Sequence, residues 1–164
     1  MNPVDSASFT LGVVGAGLMG GGIAQVAAQA GIRTLLFDAQ PGAAEHARQN
    51  IGNTLNKLAA KGKLNAAQVA QAMEHLLAVE SLAAFSGCDA VIEAIVENLA
   101  IKQEVFRNLE RVVDPACVLA TNTSSLSVTA IAAACTHPAR VGGFHFFSPV
   151  PLMKIVEVID GVRS

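Results

Sequence analysis

A glycine-rich hexapeptide near the N-terminus, GAGLMG at residues 15–20, limits the possible folds of this chain more than any other segment. It follows a short apolar run at residues 9–14, which is typical of a buried strand. It opens residues 18–30, where apolar side chains have the spacing of one helix face. A strand, a glycine turn and a helix in this order begin a βαβ unit. The hexapeptide therefore predicts an α/β fold.

Strand-like and helix-like segments alternate along the rest of the chain. The further predicted strands cover residues 34–37, 76–79, 90–95, 118–121, 140–146 and 154–159, and the further predicted helices cover residues 41–60, 66–75, 99–113 and 127–134. This alternation predicts one domain, residues 1–164, with a Rossmann-like, doubly wound and mostly parallel sheet. The connection between the last two strands is too short for a crossover helix, so we expect these two strands to be antiparallel.

Local signals define two of the predicted helices further. Pro41 stands in the favoured first turn of the helix at residues 41–60. The helix at residues 99–113 has apolar side chains at helical spacing, so its predicted inward face is Ile101, Val105, Leu109 and Val112.

The hexapeptide has the spacing of a dinucleotide-binding loop, G-x-G-x-x-G. In such a loop Gly15 permits the tight turn, Gly17 lets the backbone approach the pyrophosphate, and Gly20 lets helix and strand pack closely. The N–H groups at the start of the helix, at Leu18 and Met19, face the phosphates together with the positive end of the helix dipole. The loop therefore predicts a dinucleotide cofactor.

Asp38 ends the next predicted strand, 18 residues after Gly20, where the fingerprint places an acidic residue. Its carboxylate is expected to accept hydrogen bonds from the adenosine ribose and to repel a 2′-phosphate. No Arg follows in residues 39–41, so NAD is predicted over NADP. The alternative is a glycine-rich packing turn with an ordinary helix-capping Asp.

His145 ends an apolar strand, and Glu157 lies in the next one. In a symmetric hairpin centred on residue 151 the two side chains are directly opposed, with Cβ atoms about 5 Å apart. A carboxylate that holds one imidazole nitrogen fixes the tautomer and stabilises the imidazolium. The pair predicts a general base for a hydroxyl proton. The alternative is a structural histidine aligned with a surface glutamate.

Polar residues also gather where the predicted strands end, which is where open α/β sheets bind ligands. Glu93 and Glu97 lie around the end of one strand, and residues 122–125, Asn-Thr-Ser-Ser, follow the next. The second group is suited to bind a ribose or substrate oxygen, or to cap the helix that follows. Glu93 is flanked by apolar residues and needs a partner if it is buried.

Composition argues against several kinds of partner. The net charge is −2, the 11 Lys and Arg are scattered, and Trp and Tyr are absent, so nucleic-acid binding is not predicted. The apolar residues 11–32 include seven Gly, and no Lys or Arg precedes them, so neither a membrane span nor a signal peptide is predicted. Cys88, Cys117 and Cys135 are widely spaced, which argues against a disulfide or metal site and fits a cytoplasmic location.

Several segments together resemble the L-3-hydroxyacyl-CoA dehydrogenases over essentially the whole chain. They are VVGAGLMGGGIA at 13–24, VIEA at 91–94, TNTSS at 121–125, HFFSPVPLMK at 145–154 and IVEVI at 155–159. The resemblance implies NAD-dependent oxidation of an L-3-hydroxyacyl-CoA to a 3-ketoacyl-CoA. Residues 35–39 and 94–98 are similar to the bacterial members used in phenylacetate breakdown.

The resemblance also implies roles for individual residues. His145 is implied as the catalytic base, Glu157 as its orienting partner and Ser124 as a donor to the substrate oxygen. The implied cofactor contacts are Asn122, Glu97 and Lys102 at the nicotinamide and its ribose, and Asp38 at the adenosine ribose. The lysines implied at the CoA phosphates are Lys57, Lys61 and Lys63.

The chain departs from the family pattern in two ways. Ser148 stands where many relatives have Asn, which affects the polar contact beside the base. The family also has a second, helical domain that closes the substrate cleft and forms most of a dimer interface, whereas this chain ends at Ser164. We therefore expect the isolated cofactor domain of a homodimeric enzyme, with poor turnover on its own.

The sequence leaves three alternatives to this function. One is another NAD enzyme acting on a short 3-hydroxy acid through a catalytic Lys, which the His145–Glu157 pair disfavours. Another is an NAD-binding regulatory or interaction module without turnover. The third is one segment of a multifunctional fatty-acid oxidation protein.

Overall fold

Seven strands form a single sheet in the computed structural model, which describes residues 8–161. The strands are β1 (Thr10–Val14), β2 (Arg33–Phe37), β3 (Leu76–Val79), β4 (Ala90–Glu93), β5 (Val118–Thr121), β6 (Val141–Phe146) and β7 (Val156–Asp160). Their order in space is β3-β2-β1-β4-β5-β6-β7. The first six strands are parallel, and β7 is antiparallel to β6. The predicted fold class is confirmed, including the antiparallel pair.

Helices cover both faces of this sheet. They are α1 (Leu18–Gln29), α2 (Ala43–Ala60), α3 (Ala66–His75), α4 (Leu99–Glu110) and α5 (Val128–Ala132). The first three contribute buried side chains to one core cluster, and the last two contribute to a second cluster on the opposite face. Residues 1–7 and 162–164 of the predicted domain lie outside the described residues.

The side-chain alternation of the strands divides the two cores. In β4, Ile92 packs into the core with α1–α3, whereas Val91 packs into the core with α4 and α5. Glu93 therefore falls on the α4 side of the sheet, because successive strand residues point to opposite faces.

The strand order reverses at β1, which has β2 on one side and β4 on the other. Chain connections leave β1 and β4 in opposite directions across the sheet, so a crevice opens beyond the carboxyl ends of these strands. Open α/β sheets bind ligands in this crevice. The glycine loop at residues 15–17 begins there, directly after β1.

Two helix predictions are wrong in detail. The second helix begins at Ala43 rather than Pro41, because Gly42 caps it in a left-handed conformation with φ 78°. The predicted inward face of α4 is confirmed at Leu109, and Val105 packs partly buried against the same core, but it is wrong at Ile101, which is 44% exposed. The buried side chains of this helix are Lys102, Phe106 and Leu109.

Other segment boundaries also differ from the predictions, by one to three residues. The strand predicted at 90–95 ends at Glu93, because the Glu93 carboxylate accepts a hydrogen bond from the Ile95 N–H and turns the chain. The helix predicted at 99–113 ends at Glu110, and the last strand begins at Val156 rather than at residue 154. A 3-10 turn at Leu82–Gly87 was not predicted.

Candidate active site

The three glycines of the loop meet different surroundings. Gly15 adopts φ 101°, and a Cβ there would lie 2.5 Å from the carbonyl oxygen of Ala94. A Cβ at Gly20 would overlap the carbonyl oxygen of Gly15, so both positions require glycine for the fold itself. A Cβ at Gly17 would meet nothing within 4 Å. Gly17 therefore faces open space, as the predicted approach of a pyrophosphate requires.

The N-terminus of α1 is available to an anion. Gly17 is its N-cap and provides no side-chain hydrogen bond, and the first turn contains no acidic residue. Helix N-termini leave N–H groups without intrahelical acceptors, and they carry a partial positive charge. The side chain of Leu18 is 79% exposed in this turn, so the surface around these N–H groups is open to a ligand.

Asp38 follows β2 and lies beside the glycine loop. Its Oδ2 accepts a hydrogen bond from the Ala16 N–H at 2.7 Å, and its Oδ1 accepts one from the Gln40 N–H at 2.9 Å. The carboxylate lines a cavity of about 530 Å³ that also reaches Gly15, Gly17 and Ile101.

The rest of this cavity is mostly apolar. Its walls include Phe37, Leu82, Ile95 and Val96, and the exposed side chain of Ile101 belongs to the same surface. The apolar walls and the adjacent carboxylate suit an adenine ring with its ribose. Ile101 is exposed because it lines this cavity and not the protein core.

His145 and Glu157 occupy directly paired positions of β6 and β7. Nδ1 of His145 lies 2.8 Å from Oε2 of Glu157, and the imidazole packs against the ring of Phe147 at a centroid distance of 4.6 Å. The predicted pairing is confirmed as geometry. An ionised carboxylate only accepts hydrogen bonds, so this contact requires a proton on Nδ1, and in a neutral imidazole with that proton Nε2 is the nitrogen that can accept one.

A second cavity, of about 360 Å³, lies next to this imidazole. The predicted site residues that line it are Met19, Glu97, Lys102, Asn122, Ser124 and His145, and Ser148 lines it as well. Asn122 is fixed in orientation, because its Oδ1 accepts a hydrogen bond from the Phe146 N–H at 2.9 Å. Its amide NH₂ group is then the part left to donate. Glu157 contacts the far side of His145 and does not line this cavity.

The family model described as "3-hydroxyacyl-CoA dehydrogenase, NAD binding domain" matches residues 10–164 of this chain. The chain belongs to this family. Its cofactor is accordingly NAD, and the open face at Gly17, the uncapped start of α1 and the Asp38 carboxylate fit that cofactor.

Curated relatives of this NAD-binding domain include the 3-hydroxyadipyl-CoA dehydrogenase of Escherichia coli, which is 44% identical over 155 residues. The "Probable 3-hydroxybutyryl-CoA dehydrogenase" of Bacillus subtilis is 45% identical over 152 residues. These alignments cover 94% and 93% of this chain, but 33% and 53% of the two relatives. The chain therefore spans between a third and about half the length of these relatives.

Solved structures of similar proteins have the same fold. FadB2 of Mycobacterium tuberculosis is 40% identical, with a TM-score of 0.92 over 98% of this chain and 56% of that chain. The (S)-3-hydroxybutyryl-CoA dehydrogenase PaaH1 of Ralstonia eutropha is 36% identical, with a TM-score of 0.91 over 94% of this chain and 55% of that chain. The domain architecture is thus shared along nearly the whole chain.

A buried charge pair lies beside the smaller cavity of this NAD-binding domain. Nζ of Lys102 is 2.6 Å from Oε1 of Glu93 and 3.3 Å from Oε2 of Glu97. The side chains of Glu93 and Lys102 are 0% and 1% exposed. Sequence reasoning identified the need for a partner at Glu93 but did not identify that partner.

Two threonines extend this polar cluster toward β5. The Thr121 hydroxyl donates to Oε2 of Glu93 at 2.9 Å, and the Thr123 hydroxyl donates to Oε1 of Glu97. Partial burial alone would raise the pKa of Glu97, but the Thr123 hydrogen bond and the charge of Lys102 lower it below its ordinary value. The available sequence signal was the helical spacing that places Lys102 on the same face of α4 as Phe106 and Leu109.

The lysines implied at the CoA phosphates lie apart from both cavities. Lys57 is on the last turn of α2, Lys61 caps this helix, and Lys63 follows it, and all three are exposed. They line neither of the two cavities described above. Their contact with CoA stays a prediction.

Other possible reactive groups are few in residues 8–161. This range holds no group of three or more His, Cys, Asp and Glu side chains that could bind a metal ion, and none of its helices is long and apolar enough to cross a membrane. Cys88, Cys117 and Cys135 are free thiols. Burial raises the pKa of Cys88 to about 12 and that of Cys117 to about 11, so both are weak nucleophiles.

Proposed function

We propose that the protein that carries this chain oxidises L-3-hydroxyacyl-CoA to 3-ketoacyl-CoA with NAD. The observation that carries this proposal is the His145–Glu157 pair at the edge of a cavity beside the cofactor loop. The names of the relatives from Escherichia coli and Bacillus subtilis support the substrate class.

In the proposed reaction, Nε2 of His145 accepts the proton of the 3-hydroxyl group. Glu157 keeps Nδ1 protonated and stabilises the imidazolium that forms, as a carboxylate does for other catalytic histidines. The Ser124 hydroxyl donates a hydrogen bond to the same substrate oxygen. Bound NAD⁺ supplies the acceptor for the hydride that leaves C3, and the oxygen becomes the ketone of the product.

The cofactor contacts are proposed for two groups of residues. The loop residues Gly15, Gly17, Leu18, Met19 and Gly20 hold the pyrophosphate, and Asp38 holds the adenosine ribose. Asn122, Glu97 and Lys102 contact the nicotinamide and its ribose. Their position around the cavity that contains His145 supports this assignment.

The context of the domain is also part of the proposal. We infer that residues 1–164 form the cofactor domain, and that the protein is cytoplasmic and homodimeric. Membership of the dehydrogenase family and the length of its relatives support the first inference. A molecular mass measured by light scattering tests the homodimer.

NADH oxidation by the protein that carries this chain tests the reaction. The panel contains acetoacetyl-CoA, a long-chain 3-ketoacyl-CoA and 3-oxoadipyl-CoA. Turnover with at least one of them is expected, and NADPH should support much less. A preference for 3-oxoadipyl-CoA would favour the phenylacetate subgroup. Measurable NADH binding without any turnover would contradict the proposed reaction and favour a regulatory NAD-binding module.

A further inference from the structure

Glu93 and Lys102 occupy core-facing positions of β4 and α4, whose other core-facing positions on this side of the sheet are apolar. Glu93 is the last residue of β4 and lies on the same face as Val91, which packs into the core with α4 and α5. Lys102 stands in line with Phe106 and Leu109 on the buried side of α4. Strand and helix thus each place one charge in the core, and the two charges meet at 2.6 Å.

Stability alone is a poor explanation for this pair. Removing two charges from water is costly, and replacing a buried ion pair by apolar side chains of similar volume is often neutral or stabilising. The Glu93 carboxylate is nevertheless fully satisfied. It accepts hydrogen bonds from Lys102, the Ile95 N–H and the Thr121 hydroxyl. Such a complete set of donors holds the carboxylate in one orientation.

The pair connects directly to the cavity that contains His145. The ammonium of Lys102 has three N–H donors, and Glu93 and Glu97 are the acceptors for two of them. Lys102 and Glu97 both line the cavity, whereas Glu93 lies behind them and does not. Any influence of Glu93 on a bound ligand therefore passes through its neighbours.

Glu93 also contacts the opposite wall of the cavity. It is paired with Thr121 across β4 and β5, and its backbone carbonyl accepts a hydrogen bond from the Asn122 N–H at 2.8 Å. The segment that presents Asn122 and Ser124 thus begins at a residue that is bonded to Glu93. The Glu93 carboxylate itself contacts Lys102 and the Thr121 hydroxyl, whereas the bond to Asn122 comes from the Glu93 backbone and does not depend on its side chain.

We propose that Glu93 is a positioning residue of this site, which fixes the Lys102 ammonium so that Lys102 and Glu97 present one constant arrangement to the nicotinamide ribose. This inference rests on the proposed function, because Lys102 and Glu97 are assigned to the cofactor there. Its consequence is that Glu93 affects cofactor affinity only while Lys102 is present.

A double-mutant cycle tests this dependence, with NADH affinity measured by fluorescence titration of the protein that carries this chain. The variants are Glu93→Gln, which keeps the volume but removes the charge, Lys102→Met, and the double variant. We expect each single substitution to weaken NADH binding by roughly 10-fold or more, the size of a lost charge-assisted hydrogen bond. The double variant should bind no more weakly than Lys102→Met alone.

Thr34→Val is the matched control for general destabilisation. Thr34 is also fully buried in the sheet, and its hydroxyl donates to the Ile32 carbonyl, away from the cavity. This variant should lower the melting temperature and leave the Kd for NADH unchanged. If it weakens NADH binding as much as Glu93→Gln does, the positioning role is overturned.

The remaining outcomes separate this inference from the proposed function. If the wild-type protein binds NADH and the Glu93→Gln variant has the same Kd, the inference is overturned but the proposed function is not. The inference is also overturned if Glu93→Gln weakens NADH binding by the same factor in the Lys102→Met variant as in the wild-type protein. A wild-type protein that fails to bind NADH overturns both. If Glu93→Gln does not fold, Thr121→Val removes one hydrogen bond to Glu93 and should weaken binding several-fold, and an unchanged Kd there overturns the inference.

Discussion

Nδ1 of His145 lies 2.8 Å from Oε2 of Glu157, and the two residues are directly opposed in the β6–β7 ladder. Regular strand pairing, rather than a flexible loop, therefore sets the distance between imidazole and carboxylate. The Glu157 side chain is 54% exposed, whereas that of His145 is 20% exposed and lies against Phe147. Glu157 thus contacts the imidazole at Nδ1, and His145 lines the cavity that Glu157 does not reach.

Replacing His145 by Gln should remove the general base while keeping a polar side chain of similar size. We expect kcat to fall by about 10²–10⁴-fold, the usual contribution of a positioned acid or base. The Kd for NADH should change little, because the loop and Asp38 are untouched. Steady-state turnover and a fluorescence titration measure the two quantities. Turnover close to wild type would exclude His145 as the base.

Replacing Glu157 by Gln should have a smaller effect on the same step. The loss of one charge-assisted hydrogen bond predicts a kcat lower by roughly 10- to 100-fold, with the lower end favoured because Glu157 is exposed. Asp160→Asn is the matched control, since Asp160 is a carboxylate on the same strand, opposite Gly142. An equal loss of kcat in both variants would point to the general charge of the strand instead of the specific contact.

The hairpin register was accessible from sequence because it depends on counting alone. A symmetric connection centred on residue 151 pairs 145 with 157, and the observed pairs from Gly142 with Asp160 to Phe146 with Val156 follow the same rule. The glycine loop was accessible for a similar reason, since two of its three glycines answer a local steric demand. Gly15 and Gly20 meet backbone atoms that leave no space for a Cβ.

The buried face of α4 was only partly accessible in this way: Leu109 was predicted inward and is buried, but Lys102 was not expected there. Hydrophobic periodicity places Ile101 inside and Lys102 outside, because it treats every Lys as solvated. The correct assignment needs the partner Glu93, which is nine residues away on another element and meets Lys102 only after β4 and α4 have packed. It also needs the cavity that Ile101 lines, which the sequence does not show.

Alanine at Gly17 and alanine at Gly20 should separate cofactor binding from folding. The Gly20→Ala side chain would meet the Gly15 carbonyl, so we expect a loss of about 1–3 kcal/mol in the free energy of unfolding. A domain of this size then melts roughly 2–4 °C lower for each kcal/mol lost. The Gly17→Ala side chain meets no protein atom within 4 Å, so its melting temperature should stay near wild type.

NADH affinity is the second measurement on this pair of variants. Gly17→Ala places a methyl group where the pyrophosphate is proposed to approach, so its Kd should rise by roughly 10-fold or more, the equivalent of a steric cost above 1.4 kcal/mol. A folded Gly17→Ala variant with wild-type affinity would show that the cofactor does not approach the loop at this residue.

Replacing Asp38 by Ala should reduce the preference for NADH over NADPH. The substitution removes the proposed acceptor for the ribose hydroxyls and the charge that repels a 2′-phosphate, so the ratio of the two Kd values should fall by roughly 10-fold or more. Glu45→Gln is the control. Glu45 is a carboxylate near Asp38, because both line a third cavity, of about 500 Å³, next to the end of β2. If Glu45→Gln changes the ratio equally, the general negative potential and not Asp38 determines the preference.

Glu110 should make the stability of the domain depend on acidic pH. Its Oε2 accepts from the Thr136 N–H at 2.7 Å, and its Oε1 accepts from the His137 N–H at 2.8 Å. Partial burial alone would raise the pKa of Glu110, but these two backbone hydrogen bonds lower it below the ordinary value of 4.5. A lowered pKa in the folded state adds stability above the unfolded pKa, and this stability is lost as the pH falls through the folded pKa.

Glu110→Gln should therefore unfold more easily than wild type at pH 7, by about 1.5–3 kcal/mol, since one of the two backbone N–H groups loses its acceptor. The difference between the two proteins should shrink as the pH falls below 4.5, because the wild-type carboxyl becomes neutral as well. Urea unfolding at pH 7 and pH 3 measures both differences, with Glu104→Gln, an exposed carboxylate on the same helix, as the control. If the difference in unfolding free energy between wild type and Glu110→Gln is the same at both pH values, the ionised form of Glu110 does not stabilise the backbone at residues 136–137.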